Sequence, residues 1–297
     1  MRWAIITGVY NAADLVTEFC RYHFSLGVDK IYVADYDSDD STLDRLRPFI
    51  EAGKVERVPL PTHHFATYNP SNAILKTIRE QDAADWVSFL DPDEFLTGPE
   101  DIKEMLSQEA SRGVEAIAVP RANLTGIGPI RDDEHYLTHL TLKVVKTDTR
   151  VSDASATLSS PWIFSRLPPK VMVRPRPDLT ITDGDHNVVG AAKPVLSSSL
   201  ELLHLPMRSY AAFQTKMELG AEYLRRNPEL SPGTAWHWRR WIQLLESGRL
   251  REEYEKQFLD EMTAQALLAE GRLVQEPRLA DWWTRTSRGS PGDYLYT

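Results

Sequence analysis

Short apolar runs alternate with amphipathic stretches through the first 120 residues, and this alternation most constrains how the chain can fold. WAIITGV (3–9), KIYVA (30–34), VERVPL (55–60), WVSFL (86–90) and VEAIAV (114–119) read as strands. Between them lie helical patterns. Asp14 opens the first helix, with Leu15, Phe19, Tyr22 and Leu26 on one face and Gly27 at its end. Ser41, with Asp44 three residues on, opens the second, and Pro48 limits or kinks it. A third spans about 71–84, with Ile74, Leu75 and Ile78 apolar, and a fourth starts at Pro99 with Ile102, Met105 and Leu106 facing inward. Strand and helix in turn, joined by short connections, predict an α/β fold with an open, mostly parallel, doubly wound sheet. Such sheets bind ligands beyond the carboxyl ends of their strands.

The pattern loosens between 121 and 205, where THLTLKVVK (138–146) and PKVMVRP (169–175) read as strands among polar loops. From Arg208 onward it turns helical. SYAAFQTKMELGAEYLRR fits one amphipathic helix stopped by Asn227-Pro228, and WHWRRWIQLLESG and EEYEKQFLDEMTAQALLAEG suggest two more. The expected organisation is an α/β domain over 1–207 with a helical region, 208–297, packed on it.

A formal charge of −9 over 297 residues leaves no basic face for nucleic acid. A phosphate-bearing substrate would therefore need a local cation, from Lys, Arg or a metal. Cys20 is the single cysteine, so no intramolecular disulfide forms. No apolar run is long enough to span a bilayer, and MRWAIITGVYN lacks a signal-peptide cleavage pattern. A soluble cytoplasmic protein is the expectation.

One stretch breaks the logic of a buried strand. DWVSFLDPDEFL (85–96) passes from Trp86, Val87, Phe89 and Leu90 straight into Asp91, Asp93 and Glu94, with Pro92 between the aspartates. Two carboxylates two residues apart on an extended backbone project to one side and repel unless a cation lies between them. Mg²⁺ or Mn²⁺ suits one or two carboxylates plus phosphate oxygens, and can neutralise a diphosphate leaving group. The competing reading is a solvated acidic turn. Other motifs carry less. His63 and His64 are adjacent and point apart on an extended segment, which argues against a joint metal site. Glu18 and His23 do not share a helix face and read as structural. Trp236, Trp238 and Trp241 could stack on a sugar, but core packing is the simpler role.

NAADLVTEFCRYHFSLGVDKIYVADYDSDDST followed by DWVSFLDPDEF resembles the nucleotide-sugar glycosyltransferases of the GT-A fold, and most nearly a family-two-like branch with a DxDEF motif. The residues that carry the likeness are Asn11; Glu18, His23, Leu26, Gly27 and Val28; Asp35, Ser38 and Asp40; and Trp86, Asp91, Asp93, Glu94 and Phe95. PPKVMVRP around Lys170, DGDHNV around His186, and HLPMRSYAAFQTKMELG with His204, Ser209, Phe213, Lys216 and Gly220 extend it to about residue 220. Ala12 departs from the pattern, which usually has Glu there.

The resemblance implies a metal-dependent enzyme that moves a sugar from a nucleoside-diphosphate donor, a UDP-sugar first of all, to the hydroxyl of a glycan, lipid or small-molecule acceptor. Asp91, Asp93 and His204 are the expected metal ligands, for Mn²⁺ or Mg²⁺. Thr7, Asn11, Asp35, Lys170 and Lys216 are the expected nucleotide and diphosphate contacts; Asp35 could instead cap a turn. An inverting enzyme also needs a general base, for which Glu94 and Asp185 are the candidates. Two other readings share the composition. A nucleotidyltransferase would use a similar core but open on a Gly-rich basic loop, which ITGVYNAAD lacks. A non-catalytic carbohydrate- or partner-binding protein would tolerate loss of the acids.

Overall fold

The computed structural model describes residues 1–58, 60, 70–148, 161–190, 193–231, 233 and 235–287. His63 and His64 lie outside the described residues. The first half runs β1 (Trp3–Val9), α1 (Val16–Ser25), β2 (Lys30–Asp35), α2 (Thr42–Glu51), β3 (Val55–Val58), α3 (Ser71–Glu80), β4 (Trp86–Phe89), β5 (Glu94–Thr97), α4 (Ile102–Ser111) and β6 (Ala116–Val119). Then follow β7 (Arg121–Thr125), α5 (Tyr136–His139), β8 (Leu142–Val144), β9 (Lys170–Val173), β10 (Thr180–Ile181), β11 (Val188–Val189), β12 (Val195–Leu196) and β13 (Glu201–His204). The rest is α6 (Tyr210–Arg226), α7 (Trp236–Glu246), α8 (Leu250–Glu255), α9 (Glu261–Ala269), β14 (Leu273–Gln275) and α10 (Arg278–Thr286).

The main sheet has the order β12-β6-β9-β4-β1-β2-β3. β4, β1, β2 and β3 pair in parallel, as do β12 and β6, while β9 runs antiparallel between β4 and β6. The fold is thus α/β with a mostly parallel central sheet. Because side chains alternate across a strand, β1 builds a core on each face. Trp3, Ile5 and Val9 pack with Val16 and Phe19 of α1, Phe49 of α2 and Leu106 of α4. Ala4 and Ile6 pack with Ile74, Leu75 and Ile78 of α3. Helices therefore cover both faces. This is why strands such as Ile31–Ala34 read as continuous apolar runs rather than alternating ones.

A second sheet, β14-β8-β7-β13-β5, stands beside the first, and most departures from expectation gather there. The acidic run does not lead into a helix at Pro99. Glu94–Thr97 is a strand, fully buried, and α4 begins only where Asp101 accepts the Glu104 amide at 2.8 Å. Phe95 and Leu96 are core residues, so the hydrophobic count favoured a strand that the acids concealed. The 138–146 stretch divides into α5 and the three-residue β8. The expected fifth parallel strand, β6, is separated from β4 by β9, an insertion that local periodicity cannot reveal. α2 continues through Pro48, which sits inside it. The long acidic helix expected from 252 splits into α8 and α9, with Asp260 capping the second by accepting the Thr263 amide at 2.8 Å. β14 returns to pair antiparallel with β8. Asp14 does not cap α1; its carboxylate goes to Arg208 instead.

Among the described residues no helix is long and apolar enough to cross a membrane.

Candidate active site

Topology alone delivers the acids and their partners to one edge. β1, β2 and β4 run in register, so Val9 lies beside Asp35, and Asp91 follows the same edge after β4. β9 is reversed, so its amino end, Lys170, arrives there beside Val119. β13 runs antiparallel to β5, which places its last residue, His204, opposite Glu94 and alongside Asn123 of β7. The Leu205 amide then donates to the Asp93 carbonyl at 2.9 Å. Four residues later Ser209 caps α6, accepting the Ala212 amide at 3.1 Å, and Lys216 stands two turns along the helix.

Asp91-Pro92-Asp93 is a turn, closed by the Glu94 amide donating to the Asp91 carbonyl at 3.0 Å. The expectation that both carboxylates project to one side assumed an extended backbone; the backbone here is a turn, and the two carboxylates engage different cations. Asp91 meets the Lys170 ammonium at 3.0 Å. Asp93 meets Lys216 at 3.1 Å and Arg208 at 3.6 Å through Oδ2, and His204 Nε2 at 3.8 Å through Oδ1. Burial pushes the Asp93 carboxyl up, but the Lys216 and Arg208 charges, with the Lys216 hydrogen bond, outweigh it and hold it well below the usual carboxylate range. Asp91 is likewise lowered: burial opposes, and the Lys170 charge prevails.

His204 is held in one tautomer. Asn123 Nδ2 donates to the Ile163 carbonyl at 2.7 Å, so its Oδ1 faces His204 Nδ1, also at 2.7 Å, and must accept. Nδ1 carries the proton, and the Nε2 lone pair is turned toward Asp93. Burial lowers the His204 pKa to about 3, so the ring is neutral in ordinary buffers. A carboxylate beside a neutral imidazole whose far nitrogen is anchored by an oxygen is the arrangement of a metal-ligand pair with its supporting group. Among the described residues, no three of His, Cys, Asp and Glu converge into a complete metal-binding group. Asp91 is engaged by Lys170.

Glu94 is not placed as a base. It is fully buried, Arg121 Nη1 donates to Oε1 at 2.6 Å, and Oε2 accepts the Asp91 amide at 2.9 Å. Arg121 is in turn fixed by donating to the Pro168 carbonyl at 2.7 Å. Glu94 thus pins the turn that presents the aspartates. Asp185 has a left-handed backbone, φ 59°, and its Oδ2 lies 4.0 Å from Lys170. Lys170 also donates to the Gly184 carbonyl at 3.1 Å. His186 Nδ1 contacts the Pro169 carbonyl at 2.9 Å, and burial lowers its pKa to about 4.

The expected nucleotide contacts divide. Asp35 ends β2 and uses both oxygens, accepting from Arg57 at 2.8 Å and from the Ser38 amide at 3.1 Å. Asn11, at φ 47°, exchanges two hydrogen bonds with Asp39, of 2.6 and 3.0 Å, which tie the loop after β1 to the loop after β2. Thr7 is buried within β1, opposite Val33, rather than displayed at the edge. His23, read as structural, is satisfied at both nitrogens: Nδ1 donates to the Phe19 carbonyl and Nε2 accepts from the Leu96 amide. Trp241 is core, and Trp238 packs against Gly220, where an added Cβ would come within 3.0 Å of the indole.

Arg208, Arg121, Asn123 and Arg57 were not singled out from the sequence. One signal was present: three acids leaving a buried strand require buried cations, and LPMRS, with its arginine, follows the histidine directly.

A doubly wound sheet that collects buried carboxylates, cations and an oriented histidine at the carboxyl edge of its strands is the framework of an enzyme acting on a charged ligand. The chain belongs to glycosyltransferase family 92, whose model matches residues 3–182. The family-two-like branch expected from the sequence is not what this match names, and the nucleotidyltransferase reading falls away. No curated protein matches the sequence. Among solved structures, TarS of S. aureus in complex with UDP-GlcNAc aligns with 91% of this chain and 92% of its own, at 15% identity and a TM-score of 0.46. The mannosyltransferase PcManGT from Pyrobaculum calidifontis, in complex with GDP-Man and Mn²⁺, aligns with 99% of this chain and 84% of its own, at 15% identity and a TM-score of 0.41.

Proposed function

We propose that this family 92 glycosyltransferase takes its sugar from a nucleoside-diphosphate donor, with UDP as the nucleotide, and binds the diphosphate at Asp93 with the help of a divalent cation. The observation that carries this reading is the Asp93–His204 pair, a low-pKa carboxylate facing a neutral imidazole locked by Asn123. These two residues would hold Mn²⁺ or Mg²⁺, while Asp91, the third ligand expected from the sequence, stays paired with Lys170 and supports the turn. A cation there would neutralise the charge that develops on the departing diphosphate. Lys216 and Arg208, now on Asp93, would turn toward the phosphates; Lys170 keeps Asp91 ionised. Asp35 and Asn11 shape the two loops over which the nucleoside would lie, and Thr7 supports them from within β1.

In transfer, an acceptor hydroxyl oxygen bonds to the anomeric carbon as the bond from that carbon to the diphosphate oxygen breaks. The nucleoside diphosphate leaves with the bonding electron pair, and the hydroxyl proton passes to a carboxylate. Glu94 is enclosed, which leaves Asp185 as the candidate base and makes Glu94 a positioning residue. Incubating the protein with UDP-sugars and Mn²⁺ should release UDP from one or a few of them. Intact donors across UDP-glucose, UDP-galactose and UDP-GlcNAc would contradict the choice of nucleotide.

A further inference from the structure

The loop between β1 and α1 carries a carboxylate that gives nothing to the helix after it. Asp14 Oδ2 instead accepts from Arg208 Nε at 2.8 Å. The backbone beneath Asp14 is held on several sides. The Ala12 amide donates to Thr42 Oγ1 at 2.8 Å, and the Ala13 amide to Asp40 Oδ2 at 3.3 Å. The Asp14 carbonyl accepts from the Tyr136 hydroxyl at 3.2 Å. Asp14 is thus a fixed post, on the same loop that Asn11 ties to Asp39.

Arg208 lies between this post and Asp93. Its Nη1 stands 3.6 Å from Asp93 Oδ2, outside hydrogen-bond range, whereas Lys216 reaches the same oxygen at 3.1 Å. A guanidinium left to itself beside a buried carboxylate closes on it, commonly with two parallel hydrogen bonds. The gap has its cause in the second carboxylate, which pulls the group back through Nε. Among the described residues neither Nη nitrogen donates a hydrogen bond, and the side chain keeps 10% of its surface exposed. Two terminal nitrogens that are charged, unbonded and anchored from behind are the form in which arginine takes a phosphate. Without Asp14, Arg208 would cover Asp93 and withhold from a ligand both its own donors and a carboxylate oxygen.

We infer that Asp14 is a positioning residue for the donor diphosphate: it holds Arg208 by Nε, short of Asp93, so that the two Nη groups meet the phosphates. The inference rests on the diphosphate site proposed above, and its test is separable from that reading. Titration calorimetry on the full chain in Mn²⁺ compares UDP, GDP, uridine and guanosine. The Asp14 side chain is 42% exposed, so its replacement leaves the core intact. Asp14→Ala should weaken the diphosphate that the wild type binds by roughly tenfold, the scale of one charge-assisted hydrogen bond, and leave its nucleoside unchanged. Asp14→Asn keeps an oxygen for Nε and should stay within about threefold of the wild type. Arg208→Gln removes the group that Asp14 holds, so adding Asp14→Ala to it should cost less than about twofold more. A merely structural Asp14 would weaken nucleoside and diphosphate alike, and would act in either background. The inference is overturned if Asp14→Ala binds the diphosphate as the wild type does, if Asp14→Asn is as weak as Asp14→Ala, or if the tenfold loss persists in the Arg208→Gln background. Binding of GDP without UDP would contradict only the choice of nucleotide, because the same comparison is then read on GDP. A wild type that binds neither diphosphate would remove the site and this inference with it.

Discussion

Asp91 and Asp93 stand two residues apart in one turn, yet they live in different surroundings. The Asp91 side chain is 49% exposed and answers to one ammonium, Lys170, brought by a strand of the main sheet. The Asp93 side chain is 6% exposed and answers to His204, Arg208 and Lys216, all from β13 and the segment that follows it. The first aspartate is neutralised by a fixed, buried lysine, and the second by Arg208, which is also held by Asp14, and by Lys216, which is 38% exposed, long and free to be redirected. A carboxylate kept ionised by movable cations is suited to exchange them for a metal and a diphosphate. One tied to a buried lysine is suited to fix the shape of the turn. On the function proposed here, binding falls to Asp93 and support to Asp91.

The largest expected effect tests the support beneath both. Arg121→Met removes the salt-bridge partner of the fully buried Glu94 and leaves only the more distant Lys170 charge to offset it. Breaking such a pair costs about 3–5 kcal/mol, which a urea melt would register as a lower midpoint. An unchanged midpoint would mean that Glu94 is not the pin of the turn. Next comes the contrast itself. Asp93→Asn should reduce kcat by about 10²–10³-fold with only a small loss of stability, since Arg208 retains Asp14 and Lys216 reaches solvent. Asp91→Asn should cost about tenfold in the same assay of UDP release. Equal losses, or the reverse order, would erase the distinction.

How much of this could be read from the sequence follows the same division. The parallel half was legible because β1, α1, β2, α3 and β4 each carry their own periodicity, and β1, β2 and β3 are neighbours in space as in sequence. The second sheet was not. β5 begins on Glu94, whose burial is made possible by Arg121, 27 residues away. β9 enters the main sheet from 170, and β14 joins β8 from 273. These pairings are settled by long-range complementarity, which no local window contains. The site was legible to the same degree. Asp91, Asp93, Lys170, His204 and Lys216 were picked out and do come to one edge. Arg208 and Asn123 were missed because each acts through a partner, Asp14 and Asp93 for one and the His204 tautomer for the other. Asp91 and Asp93 were expected to point the same way because an extended backbone was assumed where Pro92 sits in a turn.

A smaller effect sharpens the role given to the movable cations. Lys216→Ala should weaken UDP more than uridine, because only UDP has phosphates to lose. The difference should be roughly tenfold or more, the worth of a charge-assisted hydrogen bond at ~1.5–3 kcal/mol. Equal changes for the two ligands would leave Lys216 as a partner of Asp93 alone.

The central claim is that Asp93 and His204 form half of a metal site that the donor completes. Calorimetric titration of UDP into the wild-type chain, first with Mn²⁺ and then with EDTA, tests it most directly. The account predicts binding at least about tenfold tighter with the metal, a difference of ~1.4 kcal/mol. Equal affinity in the two titrations would contradict it, and would assign the diphosphate to Lys216 and Arg208 without a metal.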